Sequence, residues 1–132
     1  NFMYWAMCGK PLPITGSGEE TRDFTFVDDI VDGTLRLGAV PEAVGEAINL
    51  ASETETRVID LANWINEMTG NKAGITYSSK RDWDKVTRRR ASIQKAREIL
   101  SYERKTDRRM GLKAGHEWFK DNWESITKDA EW

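Results

Sequence analysis

The sequence predicts an α+β fold, mainly helical with a few short strands, and two observations carry that expectation. Val58, Leu61, Ala62, Ile65 and Met68 recur at three- and four-residue spacing on one helical face, with Gly70 placed as a stop. The strand-like runs, by contrast, are brief and scattered over residues 12–14, 23–27, 47–51 and 75–77. They are too few and too short for the doubly wound sheet that usually holds a dinucleotide.

In chain order, residues 2–9 read as a helix that ends at Gly9, with Pro11 just beyond it. Residues 12–14 form a short extended run closed by the turn-forming Thr15, Gly16, Ser17 and Gly18. Phe24 and Phe26 alternate as in a strand over residues 23–27. Asp28 and Asp29 then supply acidic residues to the start of a helix that runs through Ile30, Val31, Thr34 and Leu35 to Gly38. Residues 47–51 are an apolar stretch of strand length, followed by the 58–70 helix and a strand at residues 75–77. Residues 80–90 are charged and read as loop. Ser92 is placed to cap a short helix bearing Ile93, Ala96 and Leu100, and Asp107 to cap a final one bearing Leu112, Trp118, Phe119 and Trp123.

At 132 residues the chain has the size of one domain, and no run approaches the roughly 18 apolar residues of a membrane span. The apolar residues 2–8 have no basic region before them and no small-residue cleavage pattern after them, so they read as a buried helix and not as a signal peptide. Cys8 is the single cysteine. It excludes an internal disulfide, fits a reducing cytoplasm and is expected as a small core residue. Most of the six tryptophans are expected in the core or in interfaces.

The net charge of -2 hides an asymmetry: residues 1–66 carry -7 and residues 67–132 carry +5. The basic excess peaks at Lys80, Arg81, Lys85 and Arg88, Arg89 and Arg90, which suits an anionic partner or a solvated face. Nucleic acid is not the expected partner, because the chain is acidic overall and has no recognition motif.

The catalytic inventory is thin. His116 is the only histidine and has no cysteine at metal-ligand spacing, so packing or surface exposure accounts for it. Gly16 and Gly18 do not open a helix after a strand, which argues against a dinucleotide-type phosphate loop. Capping accounts for Asp28 and Asp29 better than acid/base work does. What remains is arginine: Arg22 before a strand and Arg81 in a loop are each a surface ion pair or a phosphate ligand, since a guanidinium matches phosphate oxygens in a planar fork.

Four segments in register carry a family resemblance. Gly9, Pro11, Leu12, Ile14, Gly16, Gly18, Thr21, Arg22, Asp23, Phe24, Val27 and Asp29 resemble the block G-x-P-L-x-I-x-G-x-G-x-Q-T-R-D-F-x-Y-V-x-D of the extended short-chain dehydrogenases/reductases, the NAD-dependent epimerases and dehydratases. Asn49-Leu50-Ala51-Ser52 is similar to that family's N-L-G-[SG]. Ser92, Lys95, Ala96, Leu100 and Tyr102 are similar to its S-x-x-K-A-x-x-x-L-G-[YW], and Gly111, Leu112, Trp118 and Phe119 to its closing helix.

The resemblance implies the C-terminal substrate domain, here a single sugar-nucleotide-binding domain over residues 1–132 with no dinucleotide-binding domain. It implies Arg22 as a ligand of the substrate diphosphate. Arg81, in the segment Arg81-Asp82-Trp83-Asp84 that stands for the family's R-P-G-D, would be the second. The backbone around Pro13 and Thr15 would lie by the uracil or thymine base. Glu20, Trp83 and Ala51 depart from the family's usual glutamine and two glycines.

The family's Tyr-x-x-x-Lys pair and glycine-rich NAD turn are not in the chain, so no catalytic residue and no cofactor are expected within it. NAD is expected in a full-length parent only. The expected partners are a UDP- or dTDP-sugar and either the complementary half or a second copy. The competing expectation is a non-catalytic self-association module derived from the same family.

Overall fold

The computed structural model describes residues 1–80, 82–83 and 85–129. Helix α1 (Phe2–Met7) leads into strand β1 (Leu12–Thr15), a glycine turn and strand β2 (Thr21–Asp23). Helix α2 (Val27–Ala39) follows, then a 3-10 turn at Pro41–Ala43, strand β3 (Glu55–Arg57) and helix α3 (Val58–Thr69). Strand β4 (Ile75–Ser78) and helices α4 (Gln94–Leu100), α5 (Arg108–Asp121) and α6 (Trp123–Asp129) complete the order. The strands make two separate pairs: β1 runs parallel to β4, with Leu12 opposite Ile75, and β2 runs antiparallel to β3, with Arg22 opposite Thr56. The fold is α+β, as its periodicities predict.

Two apolar clusters hold these elements. In the first, Met3 and Ala6 of α1, Leu12 and Ile14 of β1, and Ala62 and Ile65 of α3 are all buried. Ala62, fully buried, has a side chain small enough to let elements approach it closely. Gly70 ends α3 in the left-handed conformation, as its place in the sequence predicts. The second cluster gathers Ala43, Ala51, Ile93, Ala96, Leu100 and Tyr102, and the Tyr102 hydroxyl donates to the Ala51 carbonyl at 3.4 Å.

Several expectations are corrected. Phe24 and Phe26 are not in a strand; β2 ends at Asp23, and Phe26 is the extended residue before α2. Residues 47–51 form no strand. The segment is fixed just beyond them by Ser52, which is buried and donates through both its amide, at 3.0 Å, and its hydroxyl, at 2.6 Å, to Asp23 Oδ1. The strand in that region is the polar Glu55–Arg57. Helix α2 buries Asp29 and Gly33, while Val31, Thr34 and Leu35 are exposed and Ile30 is half-buried, so its apolar residues do not mark its inner face. Cys8 is exposed, because Met3 and Ala6 take the inward face of α1 and Cys8 lies past its last turn. Asn122 interrupts the expected final helix, making α5 and α6 of it. Ser92 stands one residue outside the N-cap of α4, although its hydroxyl still accepts from Gln94 N at 3.4 Å.

Asp29 does not cap α2. Its buried carboxylate instead accepts from Lys105 N at 3.0 Å, Thr106 N at 3.2 Å and Thr106 Oγ1 at 3.4 Å. It thereby fixes the strap between Tyr102 and the N-cap of α5, Asp107. Asp29→Ala strands two backbone donors against a buried site. It is expected to lower the unfolding free energy by about 3 kcal/mol, read from the urea midpoint at an unchanged slope.

Candidate functional site

Strand β1 alternates buried and exposed residues, so Leu12 and Ile14 anchor it in the core while Pro13 and Thr15 face out. Leu12 N donates to Gly74 O at 3.0 Å and Gly16 N to Ser78 O at 2.9 Å, so the even-numbered residues direct their main-chain groups to β4. Those of Pro13 and Thr15 therefore point to the opposite edge. Proline lacks a donor and is tolerated on such an edge.

The turn after β1 depends on Gly16 and Gly18, whose φ angles of +89° and +82° are left-handed. A Cβ on Gly18 would also stand 3.0 Å from Ile59 Cβ, and one on Gly16 would stand 2.7 Å from Glu20 Oε1. The turn carbonyls serve α3, which has no side-chain cap. Val58 N donates to Glu20 O and Ile59 N to Gly18 O, both at 3.0 Å, so the first amides of the helix are satisfied by the turn itself.

This reversal places Pro13, Thr15, Glu20, Arg22 and Lys80 around one cleft of about 250 Å3, with Phe2, Ile14 and Val58 as its apolar wall. Arg22 is half-buried and donates through Nη1 to Thr21 O at 2.8 Å. Glu20 Oε2 accepts from Gly18 N at 3.0 Å and from Ser17 Oγ at 3.4 Å, while its Oε1 lies 3.4 Å from Lys80 Nζ. Its own backbone amide, together with Lys80 and the Gly18 amide, holds the Glu20 carboxyl below the usual range against partial burial. Three of the four residues singled out in the sequence thus share one cleft, and Arg81 lies outside the described residues. Lys80 joins the cleft from the edge of the basic run, where nothing in the sequence separates it from its neighbours as a ligand.

The basic run contributes less than its charge suggests. Arg88 is committed to Glu55 through Nε at 3.0 Å and Nη2 at 2.6 Å, and Arg90 donates to Glu53 O at 3.0 Å. Glu55 also accepts from Thr21 Oγ1 at 2.5 Å, which ties β3 to the strand that carries Arg22.

A second cleft, of about 640 Å3, is mostly apolar, with Phe24, Phe26, Leu61, Trp64, Leu112 and Phe119 among its lining residues. Arg108, which also lines it, donates through Nη1 to Glu55 O at 3.1 Å and Thr56 Oγ1 at 2.8 Å, and its Cζ lies 5.6 Å from the Trp64 ring centroid. The smaller cleft is the better seat for an anion, because it joins two cations to a polar strand edge. Among the described residues the glycine turn leads into β2 and not into a helix, and the strands pair two by two, which differs from the strand-turn-helix of a doubly wound dinucleotide fold. Among the described residues no group of His, Cys, Asp and Glu is placed to hold a metal ion. No described helix is long and apolar enough to cross a membrane.

Residues 3–51 match the model of the NAD dependent epimerase/dehydratase family. The structure of the epimerase Mth375 from the thermophilic methanogen Methanothermobacter thermautotrophicus superposes with a TM-score of 0.98 at 56% identity, over 100% of this chain and 39% of that one. The Bordetella bronchiseptica enzyme WbmF, solved in complex with NAD+ and UDP, superposes with a TM-score of 0.80 at 38% identity over 96% of this chain and 38% of that one. The UDP-glucuronic acid decarboxylase 2 of Arabidopsis thaliana is 36% identical over 112 residues, 85% of this chain and 24% of the plant enzyme. The chain therefore spans well under half the length of each of these relatives.

The Arg88 guanidinium, helped by the Thr21 hydroxyl, lowers Glu55 from its ordinary 4.5 to about 2. A depressed carboxyl stabilises the fold above its unfolded pKa, and that contribution is lost as pH falls through the folded one. Between pH 4.5 and about 2 the wild type is expected to lose thermal stability more steeply than Glu55→Gln, read as melting midpoints across that window. Parallel acid limbs for the two proteins would contradict this role of Glu55.

Proposed function

The chain belongs to the NAD-dependent epimerase/dehydratase family, the extended short-chain dehydrogenases/reductases, and from that membership we propose that residues 1–132 are the nucleotide-sugar-binding domain of such an enzyme. In this reading a UDP- or dTDP-sugar sits with its diphosphate in the cleft of Arg22 and Lys80 and its base along the edge of β1. The observation that carries it is the convergence of Pro13, Thr15, Arg22 and Lys80 on one cleft.

The chemistry of each part suits the ligand. A guanidinium offers a pair of parallel donors to phosphate oxygens, and an ammonium nearby adds a mobile point charge. The N-terminus of α3 contributes a positive dipole end on the same side, since Val58 lines the cleft. Pro13 supplies a main-chain acceptor and Thr15 a main-chain donor and acceptor on the free edge of β1, a pattern that can pair with the donor and acceptors of a pyrimidine edge. Arg81 belongs to the proposal as a further phosphate ligand through the family resemblance alone.

These residues bind and orient; no proton or hydride transfer is assigned to them. NAD and the groups that oxidise the sugar belong, in this reading, to another part of a family enzyme. The larger apolar cleft, where Phe24 and Val27 are exposed, is then a surface that such a part or a second copy covers. Sedimentation as a monomer would count against the second copy.

Calorimetric titration with UDP is expected to show saturable binding to the wild type and at least about tenfold weaker binding to Arg22→Ala, the size of one charge-assisted hydrogen bond. Equal affinities for the two proteins would remove the diphosphate from this cleft.

A further inference from the structure

The cleft that holds two cations also holds an anion, the carboxylate of Glu20. The Glu20 side chain is only 12% exposed and lines the cleft with Arg22 and Lys80. It is fixed on three sides: Gly18 N donates to Oε2 at 3.0 Å, Ser17 Oγ to the same oxygen at 3.4 Å, and Lys80 Nζ stands 3.4 Å from Oε1. Behind it the absent side chain of Gly16 makes the room, for a Cβ there would lie 2.7 Å from Oε1. The turn and the lysine therefore position one carboxylate where phosphate charge would sit.

We propose that Glu20 is a specificity-determining residue of the cleft: its fixed negative charge offsets the advantage that the terminal phosphate of a free nucleoside diphosphate would otherwise have over the diphosphate diester of a nucleotide sugar. This rests on the nucleotide reading above. A terminal phosphate ionises a second time near pH 6, as phosphate monoesters do. A free diphosphate thus carries one more negative charge at neutral pH than the same diphosphate esterified to a sugar. Against Arg22 and Lys80 alone, the extra charge would strengthen binding of the free diphosphate. Glu20 repels both ligands, and the more highly charged one more strongly. The carboxyl is held below its usual range, so it stays ionised at and below neutral pH. Its second effect is to hold Lys80 in the cleft before a ligand arrives.

The test is calorimetric titration of wild type and Glu20→Gln with UDP and with UDP-glucose at pH 7.5. Glu20→Gln is expected to tighten UDP about tenfold and UDP-glucose about threefold, shifting the ratio of the two affinities about threefold toward UDP. An equal change for both ligands, no change, or weaker binding of UDP would overturn the proposal. Failure of either ligand to bind either protein would instead overturn the nucleotide reading and this inference with it. Should circular dichroism show Glu20→Gln unfolded, the wild type answers alone by comparing pH 7.5 with pH 5. Protonation of the terminal phosphate is expected to change the UDP to UDP-glucose ratio by less than about twofold, because Glu20 already offsets that charge; a tenfold loss of relative UDP affinity would overturn it.

Discussion

The candidate site exists because one turn serves two masters. The carbonyls of Gly18 and Glu20 accept the first amides of α3, and the same turn reverses the chain from β1 into β2. Those strands belong to different sheets, β1 with β4 and β2 with β3, and nothing in either ladder requires Thr15 and Arg22 to approach each other. Positive φ at Gly16 and Gly18 permits the reversal, and contact of Gly18 with Ile59 and Ile14 presses it onto the core. A side chain at Gly18 would meet both a backbone conformation that L residues rarely adopt and the face of α3. The turn is thus a structural requirement of the helix and a geometric requirement of the cleft at once.

Around that turn the fold spreads the work over two clusters and a set of polar ties. The first cluster fixes β1 between α1 and α3, which settles the height of Pro13 and Thr15 over the core. The second holds the segment near Ala51 against α4 and Tyr102. Carboxylates link segments distant in sequence: the half-buried Asp23 to Ser52, and the buried Asp29 to Lys105 and Thr106. Asp29 accepts from two backbone amides and a hydroxyl, and Asp23 Oδ1 from one of each, while Asp23 Oδ2 is buried with no hydrogen-bond partner among the described residues. Exposed ion pairs such as Arg57 with Asp60 and Glu19 add local order and little stability.

How far the sequence foretells this arrangement depends on whether the signal is local. Helix α3 is legible because its apolar stripe and Gly70 act within one element, and β1 because proline, alternation and the glycine turn do. Strand β3 is not legible: Glu55, Thr56 and Arg57 have no apolar alternation, and they become a strand only through pairing with β2. Helix α2 misleads for a related reason. Its buried face is small and polar, with Gly33 packed so closely that a Cβ would stand 2.7 Å from Leu50 Cδ2 and 3.0 Å from Tyr102 Cδ2. Within the site, Arg22 carried a motif, while Lys80 and the fixed carboxylate of Glu20 become meaningful only when the turn brings them together.

Amide chemical-shift mapping of the isotopically labelled chain during a UDP titration tests the proposed seat of the diphosphate directly. The largest shifts are expected at Ile14, Thr15, Glu20, Arg22 and Lys80, with Trp64, Gly111 and Gly115 of the larger cleft nearly unmoved. Shifts concentrated on those last three residues, with the β1 edge silent, would contradict it.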